Sequence, residues 1–108
     1  MSIVTASERL YKQPSERRKF TMDFTSTLES SETISSLDSV TSESLDGGGT
    51  DLTIPAAGYS NTINSAANKI LLWVEGGTSG NTYRIEVQVT TTTGQKLEGD
   101  GILRVTDI

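Results

Sequence analysis

The chain has 108 residues, of which 33% are hydrophobic, and a formal net charge of −5. That length supplies one core and one domain. The absence of cysteine and histidine excludes a disulfide framework and a thiolate metal site, and removes the usual general base, zinc ligand and near-neutral pH switch.

No apolar run approaches the length of a membrane span, and the opening Met1-Ser-Ile-Val-Thr5 has no signal-peptide pattern. The expectation is a chain made and kept without secretion. Its charge is uneven. Residues 1–19 hold five basic side chains (Arg9, Lys12, Arg17, Arg18, Lys19) against Glu8 and Glu16, whereas the remainder holds four basic against twelve acidic. A basic arm on an acidic body suits an acidic neighbour, including the body of another copy, or a solvated tail. Nucleic acid is disfavoured, because Tyr11 is the one aromatic inside the basic stretch and no stacking platform accompanies it.

In chain order, residues 1–17 read as an arm outside the core. Thr5-Ala-Ser-Glu8 has capping-box spacing, so one helical turn through Tyr11 is expected, stopped by Pro14. A first strand at about Arg18 to Thr25 puts Phe20, Met22 and Phe24 inward and Lys19, Thr21 and Asp23 outward. Thr33 to Val40 is a weaker strand with Ile34 inside and Leu37 or Val40 after it; the broken alternation predicts a bulge near Ser36. Ser42 to Asp51, with three consecutive glycines, reads as a loop. Leu52-Thr-Ile54 is a short strand stopped by Pro55, and Tyr59 and Ile63 are placed to cover a sheet edge.

The densest signal runs from Lys69 to Val105. Ile70-Leu-Leu-Trp-Val74 is a continuous apolar run, whose shortness and following Gly76-Gly77 favour a strand over a buried helix. From Tyr83 the alternation is strict: Tyr83, Ile85, Val87 and Val89 face one way, and Arg84, Glu86, Gln88 and Thr90 the other. Gly80-Asn-Thr-Tyr83 has the form of a tyrosine corner, in which the phenol bonds back to nearby backbone. Gly94 turns the chain into a last strand that Gly99-Asp-Gly101 is expected to bend or bulge before Ile102. We read three consecutive antiparallel strands here, packed around a core Trp73. The whole is all-β: an Ig-like antiparallel β-sandwich of six to seven strands (residues 18–108) preceded by an extended basic arm (residues 1–17).

Chemistry-bearing constellations are few. Asp46-Gly-Gly-Gly-Thr-Asp51 brings two carboxylates near flexible backbone but lacks the spacing and terminal Glu of a calcium loop, so a mobile loop is the better reading. Glu98 and Asp100 alternate on one strand and share a face, too close to straddle a sugar as a glycosidase pair does. The serines have no histidine to activate them. Gly76, Gly77 and Gly80 precede neither a lysine nor a helix start, which makes them turn glycines and not a phosphate loop. Trp73 suits a sugar platform only with a second aromatic beside it; flanked by Leu72 and Val74, it reads as core.

Thr33-Ile34, Trp73-Val-Glu-Gly-Gly-Thr-Ser-Gly-Asn-Thr-Tyr83, the Thr92-Thr-Gly94 turn and the closing Leu103-Arg-Val105 together resemble the small Ig-like virion proteins of tailed bacteriophages, in particular phage fiber-tail adaptor proteins. The resemblance covers roughly residues 18–107 and leaves the arm outside it. It implies a non-enzymatic, multi-copy adaptor at the tail, neck or fibre junction, found in virions assembled in the host cytoplasm. Its partners would be other virion proteins (tail, connector or fibre components) and further copies of itself, with no small-molecule substrate, membrane or cofactor. The alternatives are a capsid decoration (cement) protein and a receptor- or carbohydrate-binding Ig-like module. No catalytic, cofactor-binding or metal-ligating residue is expected. The expected partner-binding residues lie on the arm: Ile3, Val4, Leu10 and Tyr11 as apolar anchors, and Arg9, Lys12, Arg17 and Arg18 as cations meeting acidic surface. Too few large apolar groups lie on the arm to order it alone, so it is expected to be mobile in a free monomer.

Overall fold

The computed structural model describes residues 3–5 (backbone only) and 10–107. They form nine strands: β1 (Ile3–Thr5), β2 (Leu10–Lys12), β3 (Arg18–Asp23), β4 (Ile34–Ser44), β5 (Leu52–Thr53), β6 (Thr62–Ile63), β7 (Lys69–Gly76), β8 (Thr82–Thr91) and β9 (Lys96–Val105). One sheet runs β4–β8–β9, with both β1 and β2 on the far side of β9. The other has β7 at its centre, with β3 on one edge and β5 and β6 on the other. The result is the two-layer, all-β sandwich that the periodicities predict.

Period-two alternation builds the core. Tyr83, Ile85, Val87 and Val89 of β8 and Leu97, Leu103 and Val105 of β9 are buried on the inner face of the first sheet. Phe20, Met22, Ile70, Leu72 and Val74 of β3 and β7, with Phe24 just after β3, meet them from the second. Each such side chain contributes roughly 1.5–3 kcal/mol on burial, which lets a chain with so few apolar residues close one core. The bulge expected near Ser36 is present: the β4–β8 register shifts between Ile34 and Ser36, and again between Leu37 and Ser39.

Five expectations are corrected. First, β7 and β8 lie in different sheets, so the three strands are not one consecutive antiparallel set. Gly76 and Gly77, both at positive φ, carry the chain from one layer to the other. Gly77 also lies so close to the core that a Cβ there would come within 2.9 Å of Val105 and 3.0 Å of Leu52. Second, β4 continues through Ser42–Ser44, where a loop was expected. Its outward Thr41 and Glu43 pair with Glu86 and Arg84, and serines take the inward places, so no apolar alternation marks it. Third, Gly99 and Gly101 introduce no bulge, since β9 keeps its register on β8 from Lys96 to Arg104. Gly99 is needed for space: a Cβ would lie 3.0 Å from both Met22 and Phe24 of the facing layer. Fourth, Trp73 is not core. It alternates with Ile70, Leu72 and Val74 onto the outer face of β7 and is only partly buried.

The fifth concerns the arm. Leu10–Lys12 is a strand and not the end of a helical turn; residues 6–9, over which that turn was expected, lie outside the described residues. Both β1 and β2 pair in parallel with β9 of the same chain: Ile3–Thr5 against Glu98–Asp100, and Leu10–Lys12 against Leu103–Val105. The exposed edge of β9 offers backbone donors and acceptors that a nearby extended segment can use at little cost. Among the described residues the arm is paired to β9 of its own chain. Residues 13–16 then turn the chain into β3, with the Gln13 amide donating to Glu16 at 2.7 Å.

Candidate interaction surfaces

The tyrosine corner is formed. Tyr83 is fully buried at the start of β8; its hydroxyl donates to the Thr50 carbonyl at 2.5 Å and accepts from the Thr78 amide at 3.0 Å. It ties the Asp46–Asp51 loop to the inter-sheet crossing. The loop is held further by the Thr82 amide donating to Asp46 at 2.6 Å and the Asn81 side chain donating to the Gly48 carbonyl at 2.6 Å. The loop read from the sequence as mobile is therefore anchored at several points, and Asp46 serves as an acceptor for backbone.

The sequence-expected partner residues whose side chains are described (Leu10, Tyr11, Lys12, Arg17 and Arg18) do not converge on one surface. Ile3 and Val4 contribute backbone pairing to β9, and their side chains lie outside the described residues, as does Arg9. Leu10 packs partly buried against the core. Tyr11 points outward and is 55% exposed. Lys12 points inward and is only 2% exposed, its ammonium donating to the Gln13 carbonyl at 2.7 Å and the Pro14 carbonyl at 3.2 Å. Burial lowers its pKa from the ordinary lysine value, against the pull of Glu16 and Glu75. It acts as an internal tie and not as an exposed cation. Arg17 reaches Glu75 at 3.5 Å and Arg18 reaches Glu16 at 3.8 Å, both half-exposed.

Sequence reasoning missed a patch on the outer face of the second sheet. Tyr59, from the segment between β5 and β6, stacks on Trp73 with ring centroids 4.5 Å apart. The Arg17 guanidinium lies 4.6 Å from the Tyr59 ring and donates to its hydroxyl at 3.1 Å. From β3, on the opposite edge of β7, the Lys19 ammonium lies 5.8 Å from the Trp73 ring and stands directly across from it in register. The backbone of the Tyr59 segment is fixed to β7 by the Ala56 amide on the Trp73 carbonyl and by the Trp73 amide on Asn61. The two rings are thus flanked by two cations of one segment, Arg17 just before β3 and Lys19 within it, and stacking and cation–π attraction together fix the patch. A parity signal for it was in the sequence: Trp73 shares its spacing with Lys69 and Glu75, whose charges mark an outward face.

The first sheet carries a different outer face. Glu86, Glu98 and Asp100 offer carboxylate oxygens within 4.8 Å of one another, with Glu86 and Asp100 directly across from each other on β8 and β9. Arg84 is shared between Glu43 at 2.5 Å and Glu86 at 3.0 Å. Among the described residues Glu98 and Asp100 have no basic partner. Burial and the neighbouring Glu98 and Glu86 raise the Asp100 pKa above the ordinary carboxylate value. Glu98 and Asp100 do share a face, as read from the sequence; the third carboxylate comes from the neighbouring strand.

A family model described as "Podophage GP4 fiber-tail adaptor protein gp77" matches residues 12–104. The match begins at Lys12, inside the segment that the sequence reading set apart from the sandwich. No curated protein and no solved structure matches the chain. The family match spans most of the chain and agrees with the sandwich and with the strand and turn motifs that first suggested it, and the chain belongs to the podophage fiber-tail adaptor family.

Proposed function

We propose that this protein is a multi-copy adaptor at the tail, neck or fibre junction of a podophage virion, joining tail components and neighbouring copies through protein–protein contacts and without catalysis. The observation that carries this reading is the family match across residues 12–104. Supporting it, the two broad outer faces carry side chains suited to binding: an aromatic pair flanked by cations on one, clustered carboxylates on the other. The N-terminal segment adds to the contact area. Tyr11 and Arg18 are its exposed contacts, while Leu10 and Lys12 hold the segment in place; Ile3, Val4 and Arg9 are further contacts on the sequence reading alone. Assembly takes place in the host cytoplasm.

The test is made on particles. Phage carrying a stop codon in this gene should yield DNA-filled heads with tails that lack fibres or the distal tail, and the protein supplied in trans should restore them. Trans-supplied Tyr11→Ala combined with Arg18→Glu should fold but restore fewer fibres. Fully fibred particles without the protein, or labelling of the protein on the head shell, would contradict the adaptor reading, and the second result would favour capsid cement. The carbohydrate-binding alternative gains the second aromatic it needed, Tyr59, but the two rings are packed on each other with centroids 4.5 Å apart and tilted by 39°, so they do not form one flat platform.

A further inference from the structure

We infer that the Trp73–Tyr59 face of one copy docks on the Glu86–Glu98–Asp100 face of the next, so that copies join head to tail. The inference rests on the adaptor reading and names the surfaces by which copies would meet. Three observations carry it.

The first is chemical. Tyr59 is 39% exposed and Trp73 is partly exposed, so aromatic surface reaches solvent at the centre of the second sheet's outer face. Lys19 beside it is exposed and, among the described residues, takes part in no ion pair. Aromatic groups at the centre with cations around them are the composition of an interface anchor. The second is complementarity. On the opposite side of the molecule, and among the described residues, Glu98 and Asp100 take part in no ion pair, Asp100 stands across the β8–β9 ladder from Glu86, and Arg84 serves Glu86 and Glu43, so the carboxylates outnumber their cation and further positive charge relieves the repulsion of like charges across the sheet. Lys19 of a second copy supplies that charge, and complementary potentials orient the encounter.

The third is geometric. The two surfaces are the outer faces of the two layers, on opposite sides of one sandwich. A contact between opposite faces cannot be two-fold symmetric. It is heterologous, and it makes a ring where the rotation closes or a filament where it does not. The molecule measures 42 × 28 × 20 Å, so its broad faces can provide the roughly 800 Å² per partner of a standard interface.

The experiment uses the full chain and its single tryptophan. Sedimentation and Trp73 emission are followed against concentration for the wild type, Lys19→Glu, Glu98→Lys, and an equimolar mixture of the two variants. The wild type should associate as concentration rises, with Trp73 emission moving to the blue. Moving from about 0.1 M to 1 M salt, which shortens the Debye length from about 10 Å to 3 Å, should weaken the association. Each variant alone should associate about tenfold more weakly or worse, with an unchanged melting temperature. The mixture should recover association, because the intact aromatic face of Glu98→Lys can still meet the intact acidic face of Lys19→Glu. A wild type that stays monomeric at its highest soluble concentration overturns the proposal, as does a Lys19→Glu variant that associates normally. A mixture that recovers no association overturns the opposite-face geometry. A monomeric wild type that still restores fibred particles would leave the adaptor reading standing and assign these faces to other virion proteins. Loss of the adaptor reading shows instead in the particle test, whatever the association state.

Discussion

Tyr83 and Trp73 make the most instructive comparison in this molecule. Both are aromatic, and both sit in central strands. Tyr83 has no exposed surface and both hydrogen-bonding functions of its hydroxyl satisfied. Trp73 lies on the far side of β7 from the core, and its ring neighbours are Tyr59 and Lys19. What separates them is parity along the strand and not residue type. An aromatic in step with Ile85 and Val87 holds the fold together, while one in step with Lys69 and Glu75 is free to hold something else.

That contrast can be broken most sharply by truncation. Tyr83→Ala should cost about 3–5 kcal/mol, the range for removing a fully buried ring, and should leave a poorly folded protein by circular dichroism. Trp73→Ala should cost only about 1–1.5 kcal/mol, which is its stacking on Tyr59 and part of its burial. Its denaturation midpoint should therefore stay close to wild type. Equal losses from the two truncations would return Trp73 to the core.

The same comparison shows what was legible in the sequence. Where one face of a strand is polar throughout, as in β8, alternation named the four apolar inward residues from Tyr83 to Val89 and missed only the polar Thr91. In β7 the outward positions include Leu71 and Trp73, so the run Ile70–Val74 has no visible period and the assignment of Trp73 to the core followed. Only the charges at Lys69 and Glu75 betray the parity. The β7–β8 crossing was hidden because positive-φ glycines serve a hairpin and an inter-sheet crossing equally well. The aromatic patch was out of reach because Tyr59 and Trp73 meet only through pairing of the β5–β6 segment on β7. The N-terminal segment was misread for a similar reason: its order comes from the edge of β9, which lies at the other end of the chain. Tyr11, Arg17 and Arg18 stayed exposed or half-exposed as a binding arm would need, whereas Lys12 became an internal tie.

Filling the inner surface gives the next largest effect. Gly99→Val adds volume where a Cβ alone would press on Met22 and Phe24, and should destabilise by about 1–3 kcal/mol. A Gly99→Val melting curve that matches the wild type would mean that the two layers pack less closely there than described. Tyr83→Phe keeps the ring and removes the hydroxyl, stranding the Thr50 carbonyl and the Thr78 amide; the expected loss is about 1–2 kcal/mol by chemical denaturation.

Two carboxylates extend the comparison of inside with outside to charge. Glu32 is buried and well partnered: it accepts from the Glu29 amide at 2.9 Å, from Thr91 at 2.5 Å, from Thr93, and from Gln95 at 3.0 Å. The Glu29 amide first, then the threonine hydroxyls, hold its pKa down to about 2. A folded pKa below the unfolded one gives stability that is present above the ordinary carboxylate range and is lost as pH falls toward about 2. The stability gap between wild type and Glu32→Gln should therefore be widest near neutral pH and narrow on acidification. Asp100 has the opposite sign. Its raised pKa means that the ionised form is disfavoured by folding, so Asp100→Asn should stabilise at neutral pH. The gain should be of order 0.5 kcal/mol, typical of relieving like charges across a sheet. It should vanish as the wild-type group takes up its proton at lower pH. A destabilised Asp100→Asn would mean that the acidic face is already balanced within the monomer.

The most direct measurement of the central claim, that Trp73 belongs to a binding face and not to the core, is collisional quenching of its fluorescence by acrylamide. With a single tryptophan in the chain, the signal has one source. Quenching should be clear in the dilute native monomer, below that of the unfolded chain, and should fall markedly when the protein is incorporated into tails. A ring already shielded in the monomer, or equally quenched before and after incorporation, would contradict that claim.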